Sequence, residues 1–446
     1  MSEPSSLGPN YRKLFGSAVA ANLGDGLMSI ALVWLASAVT RDALLIALIG
    51  VAGRLPWLIV SLPAGVISDR FDRRKLVAWM DVCRFVVVTA LGLLVLAHQA
   101  DLPTPEQLAA GAAEPAGGAV LLTALGLASF LLGCAEVLRD NTAQTLMPAL
   151  VDKAQLERAN GRLWAAETTM NSFVGPPLAG VLITVGLALP FLINAGLLAV
   201  SAAMVFALAG TFTAQSSMER SPRIDFKGEI AEGFGWLWNH RLIRTLAILL
   251  GLLNMLSNVA LVNGVLYAQD VLGLYQGWQF GLVTTGFAVG AVAGSLTAAT
   301  VSARLSPGVT LIVSITGMGG CLLLMGLAPS ALLFWACAVA EGVFVVLWNV
   351  ITVSLRQRLI PDHLLGRVNS VYRFFGWGTI AIGTVLGGAL VNLGQPWLGR
   401  GWALRTVFLL AGAAHLALIG YAATRVNTDR IRAAEAAAAV EQQASS

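Results

Sequence analysis

Twelve apolar runs recur along the whole chain, at roughly 14–39, 43–64, 76–98, 119–138, 165–186, 190–210, 245–268, 279–301, 309–328, 331–355, 374–394 and 403–424. Each is long enough to cross a hydrocarbon layer about 30 Å thick, which takes about 20 residues of helix. In that solvent every backbone N–H and C=O must be satisfied within the protein, so runs of this length form helices. The composition agrees: 57% of the 446 residues are hydrophobic and 12% charged, against about 45–50% and about 25% in soluble domains. The expected fold is therefore an all-α polytopic membrane protein. With this much lipid-facing chain, the net charge of +4 is no nucleic-acid footprint. Only Arg12 and Lys13 precede the first run, and Ala18-Val-Ala20 comes too early to end a cleaved signal core. The first run reads as a retained span.

Lys and Arg stay on the cytoplasmic side of a membrane. With the N-terminus inside, 23 of the 28 basic residues fall in cytoplasmic segments, Arg41, Arg400 and Arg405 fall outside, and Arg54 and Arg84 lie within spans. Both termini are expected to be cytoplasmic, in the cell membrane. Cys83, Cys134, Cys321 and Cys337 all lie in spans without a Cys-x-x-Cys pair and read as small buried hydrophobes.

The longest inner polar interval divides the spans six and six, giving an N-terminal half (1–210), a central linker (211–244), a C-terminal half (245–424) and a tail (425–446). Leu156-Glu-Arg-Ala-Asn-Gly161 matches Leu365-Gly-Arg-Val-Asn-Ser370, and Gly175-Pro-Pro-Leu-Ala-Gly180 faces Gly383-Thr-Val-Leu-Gly-Gly388. Equivalent loops on the same side imply a parallel repeat, a construction common in secondary transporters, whose substrate site lies between the halves near mid-membrane.

Six of the eight residues from Ser68 to Lys75 are ionised, within Gly65-Val-Ile-Ser-Asp-Arg-Phe-Asp-Arg-Arg-Lys75 between the second and third spans. This stretch resembles the signature of the major facilitator superfamily, Gly-x-x-x-Asp-Arg-x-Gly-Arg-Arg/Lys. Gly65, Asp69, Arg70, Arg73 and Arg74 match, and Asp72 replaces the second glycine. Gly65 would let two helices approach closely. Asp69 is placed to face the positive N-terminal end of another helix, which the resemblance implies is the eleventh. Arg73 and Arg74 can pair with an acid ending the fourth span, where Asp140 is the candidate. Together these residues would form a cytoplasmic gate; the alternative is a positive-inside anchor, which does not account for Asp69 and Asp72. Asp140-Asn-Thr-Ala-Gln-Thr-Leu-Met-Pro148 and Leu365-Gly-Arg-Val-Asn-Ser-Val-Tyr-Arg373 resemble the enterobactin-exporter and macrolide-efflux branch. Gly175, Pro176 and Gly180 are similar to the core of the fifth-span motif of drug/proton antiporters, with Asn171 where a further glycine is usual.

Ionisable residues within spans are costly and mark functional sites. Asp25 lies 11 residues into the first span and Arg54 10 residues from the inner end of the second, depths of about 16 and 15 Å at 1.5 Å per residue. Equal depth pairs them, as a structural ion pair or as a proton-controlled one. Asp81 and Arg84, at i and i+3, are expected to satisfy each other. Glu341, without a basic residue near it in its helix, is a candidate proton carrier; Glu136 occupies the corresponding region of the fourth span, with Arg139 as a possible partner. The resemblance places spans one, four, seven and ten around the cavity, which adds Asn254 and Asn258, with Asn263 offset from them, as substrate contacts or as polar helix glue.

No His-Glu-x-x-His or Gly-x-Ser-x-Gly occurs, the four histidines are scattered, and Asn22-Leu-Gly-Asp25 lacks the second motif of an intramembrane aspartyl protease. An enzyme is not expected, nor a cofactor or metal. The reading is a secondary transporter exporting a small amphipathic molecule by proton antiport, working as a monomer in the bilayer. The alternatives are facilitated uptake of a small metabolite and a non-transporting receptor.

Overall fold

The computed structural model describes residues 7–60, 64, 67, 71–113, 115, 117–151, 155–210, 212 and 226–445. Among these residues all regular structure is helical. Ten helices are long and apolar enough to cross a membrane. Of the second run the structure describes the helix Ala43–Ile59, and the fifth is divided into Leu156–Thr168, a π-helical stretch Thr169–Val174, and Gly175–Val185. The division follows from Pro176 and Pro177. Neither has an N–H to return to the preceding turn, and the ladder adjusts by widening to a π turn just before them.

The remaining spans are Gly8–Val39 (first), Arg73–His98 (third), Gly118–Leu146 (fourth), Leu189–Phe206 (sixth), Arg241–Leu261 continued by Gly264–Asp270 (seventh), Gly277–Arg304 (eighth), Pro307–Leu327 (ninth), Ala331–Leu359 (tenth), Asp362–Leu398 (eleventh) and Arg400–Arg425 (twelfth). Several start on side-chain caps that satisfy orphan N–H groups. Asp42 accepts from Leu44 N at 2.8 Å, and Asp72 accepts from Lys75 N at 3.1 Å. Asp72 therefore stands where the superfamily signature has glycine because it opens the third span. Asp72→Ala should lower stability by about 1 kcal/mol, read as a lower melting temperature in detergent, while Asp72→Asn should leave it nearly unchanged.

The chain clusters into two compact units, Met1–Arg220 with Gly273–Thr285, and Ser221–Leu272 with Gly286–Ser446. In the first, the first span packs on the fifth and sixth, and the third on the fourth and sixth. In the second, the seventh packs on the eleventh and twelfth, and the ninth on the tenth and twelfth. Each pairing in one unit has its counterpart six spans later in the other. Leu14, Val77, Leu146, Val205 and Leu208 share one core cluster, and Leu246, Ile315, Trp348, Leu355 and Tyr372 share another. Outward side chains stay apolar: Leu296, Leu332 and Trp397 are 77%, 75% and 88% exposed, as expected of surfaces facing lipid rather than water.

Two described segments outside the spans also fold. Phe226–Asn239 is a helix packed on the eleventh span, where Arg367 of the repeated loop motif donates to Glu232. Thr428–Ser445 is a helix whose Ile431 is fully buried with Leu359 and Val426, and whose Glu435 pairs with Arg358 at 3.2 Å. Of the cysteines, Cys321 and Cys337 are buried as expected, but Cys83 is exposed on the outer face of the third span.

Candidate functional site

Four spans of the first unit bring their polar residues to one place. Helical spacing explains the selection: Asp81 and Arg84 share a face of the third span, and Glu136, Arg139 and Asp140 share one of the fourth. Ser17 and Asp25 come from the first span, and Asn194 and Ser201 from the sixth.

Asp81 is fully buried and takes the strongest set of donors. Arg139 Nε donates to its Oδ1 at 2.7 Å, and Ser201 Oγ donates to its Oδ2 at 2.6 Å. Arg139 Nη2 lies 3.4 Å from Ser17 Oγ, which lies 2.8 Å from Ser201 Oγ. With Ser201 donating to Asp81, Ser17 donates to Ser201, and a chain of bonds joins the first, third, fourth and sixth spans. Arg139 Nη1 donates to Asp140 Oδ1 at 3.2 Å.

Arg84 lies between two acids. Its Nη2 donates to Asp25 Oδ1, and its Nη1 is 3.7 Å from Asp81 Oδ1, close enough for an ion pair but too long for a hydrogen bond. Nε and Nη1 of this 3%-exposed arginine have no hydrogen-bond partner among the described residues. Leaving buried donors unmet costs free energy, so the guanidinium is held by charge with its hydrogen bonding incomplete. The side chains of Asp25 and Asp140 are 20% and 36% exposed, so they form the accessible rim of a network whose centre, Asp81 and Arg139, is sealed.

This geometry corrects two expectations. Asp25 pairs with Arg84, not Arg54. On the run bounds read from the sequence Arg84 is 8 residues into the third span, about 12 Å at 1.5 Å per residue and within one turn of Asp25; depth to that precision does not choose between two cations, and the i,i+3 rule had assigned Arg84 to Asp81. Arg54 is exposed on the second span, within electrostatic reach of Glu136. Asp140 pairs with Arg139, its chain neighbour, and not with the gate arginines. Arg74 Nη1 instead donates to Leu208 O at 2.8 Å, and Arg73 N donates to Phe212 O at 3.3 Å, which ties this end of the third span to the chain leaving the sixth. Gly65, Asp69 and Arg70 lie outside the described residues.

Glu136 makes no hydrogen bond among the described residues, although Asp25, Asp140 and Arg84 are within electrostatic reach. Asn194, 1% exposed, has neither its Oδ1 nor its Nδ2 paired among them, and its amide lies against Gly24, next to Asp25. Sequence reasoning passed over Asn194, Ser17 and Ser201. Small neutral polar residues do not interrupt an apolar run, and only the coincidence of three such residues beside the charged helices marks them.

Gly175 and Gly180 are sites of close helix approach. A Cβ on Gly175 would lie 2.5 Å from Gly26 Cα of the first span, and one on Gly180 would lie 2.9 Å from Trp278 Cα at the start of the eighth. Pro176 contributes its carbonyl to the same surface, against Gly281.

In the second unit, Glu341 is 2% exposed and makes no hydrogen bond among the described residues; Cys321 and Cys337 are its near polarizable neighbours. Asn254 Nδ2 donates to Gly376 O at 3.0 Å, linking the seventh and eleventh spans. Asn258 and Asn263 donate within their own helix, to Asn254 O at 2.9 Å and Val259 O at 3.2 Å. No group of three His, Cys, Asp or Glu side chains among the described residues could hold a metal ion.

Residues 8–443 match the family model described as transmembrane secretion effector. The chain is 25% identical over 395 residues to the multidrug efflux pump Tap of Mycolicibacterium fortuitum, covering 86% of this chain and 90% of that one. It is 27% identical over 342 residues to the enterobactin exporter EntS of Citrobacter koseri, covering 74% and 73%. A bacterial homologue of the iron transporter ferroportin has the same fold, with TM-score 0.69 over 94% of this chain and 100% of that one at 18% identity. Twelve apolar helices in a six-plus-six repeat, the charged second-to-third loop and this end-to-end match place the chain in the transmembrane secretion effector family of the major facilitator superfamily.

Proposed function

We propose that the protein exports a small amphipathic molecule across the cell membrane by proton antiport, acting as a monomer with both termini in the cytoplasm. The similarity to an efflux pump and an exporter supports the direction. The basic residues at one set of loops support the orientation.

The observation that carries the coupling is Arg84 held between Asp25 and Asp81 with hydrogen-bonding capacity to spare. The cluster of Asp25, Asp81, Asp140 and Glu136 against Arg84, Arg139 and the more exposed Arg54 holds one more acid than bases, and excess charge in a membrane is relieved by taking up protons. Asp25, at the accessible rim, is the acid that exchanges. When it is protonated, Arg84 loses its stronger partner and swings toward Asp81. The first span then loses its direct ion pair to the third, while Ser17, Ser201 and Arg139 still tie the four spans together. Deprotonation restores the pair. Glu136 and Glu341 are the further acids through which a proton or substrate charge could pass.

Asp69 completes the proposal as a cytoplasmic latch that holds the outward-open state. Asp69→Asn should leave the protein folded and inserted but bring transport close to background, with cysteine accessibility shifted toward an inward-open cavity; wild-type flux at matched expression would remove the latch. The export reading itself is tested in respiring everted vesicles, acid inside, given ethidium, N-phenyl-1-naphthylamine or naphthalene-2-sulfonate. At least one should accumulate in the lumen and be released when nigericin collapses the pH difference. Accumulation of none, or accumulation indifferent to nigericin, would contradict it.

A further inference from the structure

A cavity of about 310 Å³ opens within the second unit among the seventh, ninth, tenth and eleventh spans, at the lower end of the ~300–1,000 Å³ usual for small-molecule sites. Trp348, Trp377, Met318, Asn254, Ser257 and Arg356 line it. Its chemistry is one-sided. Trp348 is 3% exposed, and its Nε1–H has no acceptor among the described residues. That N–H is closed to a molecule the size of water, so an acceptor in the cavity reaches it by a small turn of the ring, which the unmet donor favours. Among the described residues the charged one in the lining is Arg356, whose guanidinium lies 4.0 Å over the Tyr372 ring and donates to Asn369 Oδ1 at 2.8 Å and to Thr352 O at 3.3 Å. Those bonds fix a positive charge beside the cavity. Its field acts on an occupant whether or not the arginine contacts it.

Among the described residues no Asp or Glu lines the cavity. Glu341 is on the same helix two turns from Trp348, about 10 Å away at 1.5 Å per residue, with Cys321 and Cys337 beside it. The apolar part of the lining is broad: two indole faces and the Met318 thioether offer flat, polarizable surface. Ser257 and Asn254 supply the polar remainder. Asn254 Nδ2 is already given to Gly376 O, which leaves its Oδ1 toward a hydroxyl. His415 Nδ1 lies 2.8 Å from Ala411 O; with that nitrogen donating, Nε2 is the acceptor at 3.5 Å from Ser257 Oγ.

We infer that this cavity is a substrate subsite for planar aromatic molecules carrying an anionic oxygen group, with the rings between the indoles and the oxygen on Trp348 Nε1 in the field of Arg356. The inference rests on the export reading and names its substrate class. A cationic cargo would need an acid in the wall, and Glu341 lies outside the lining. It also suits the proposed coupling: one anion leaving for one proton entering moves both charges in the direction an inside-negative potential favours.

The test is equilibrium dialysis of the full-length protein in nanodiscs of zwitterionic lipid, with naphthalene-2-sulfonate and trimethyl(2-naphthyl)ammonium as probes. The sulfonate should bind saturably and at least tenfold more tightly than the ammonium. Trp348→Phe keeps a ring but removes the donor, and should weaken the sulfonate about tenfold, as loss of a hydrogen bond to a charged acceptor implies, while leaving the ammonium unchanged. Trp377→Ala, at the exposed edge where folding is not at stake, should weaken both probes alike. Tighter or equal binding of the ammonium, no saturable binding of the sulfonate, or indifference to Trp348→Phe and Trp377→Ala would overturn the subsite. Its failure is separable from failure of the export reading: ethidium accumulation without sulfonate binding removes only the subsite, and sulfonate binding without accumulation of any probe in vesicles removes only export.

Discussion

Arg84→Gln should destabilise the protein by about 3–5 kcal/mol, the cost of breaking a buried ion pair and leaving its acids uncompensated. Asp25 and Asp81 would then face one another without the cation between them. Asp25→Asn combined with Arg84→Gln should recover most of that loss, because Asp81 keeps Arg139 and Ser201 and the positive charge removed is matched by the negative charge removed. The cycle is read from melting temperatures of the four purified proteins in one detergent. Asp25→Asn with Arg54→Gln is the control, since equal depth would also have paired those two. Recovery with Arg54→Gln and none with Arg84→Gln would assign Asp25 to the wrong helix.

The second large effect is on coupling. Asp25→Asn should reduce pH-gradient-driven export to the level of vesicles without the protein, yet preserve downhill exchange of the same compound. A permanently neutral side chain mimics protonated Asp25 and so leaves Arg84 to Asp81. The conformational change then remains open, but no proton is carried with it. Export that retains its wild-type rate and pH dependence in Asp25→Asn would transfer the role to Glu136 or Glu341. Glu136→Gln and Glu341→Gln, assayed identically, would then show which.

The spans and their repeat were legible because the bilayer imposes a length on every helix, and the run lengths record it. The fifth span is not a single helix for a local reason: Pro176 and Pro177 widen the turn before them. Pairing inside the membrane was less legible. Sequence gives a residue's depth, but the face it presents depends on how each helix is rotated. Asp25 therefore had two cations within one helical turn of its own depth, and the choice fell on the wrong one. Asp140 was matched with Arg73 and Arg74 across a loop when its chain neighbour Arg139 was the partner. The unpaired amide of Asn194 and the serines that link Arg139 to Asp81 carry no charge, so nothing in an apolar run singles them out. Asp72 shows the opposite case: a departure from the superfamily signature has a plain local cause, the cap of the third span.

Substrate-driven proton movement tests the central claim most directly. Everted vesicles carrying a lumenal pH dye are energised to an acid interior, and the accumulated probe is added to the medium. Wild-type protein should produce a rise in lumenal pH as protons leave in exchange for the incoming molecule, and Asp25→Asn should produce none. Accumulation of the probe with no change in lumenal pH, or an equal change in both proteins, would contradict proton antiport through Asp25 and Arg84.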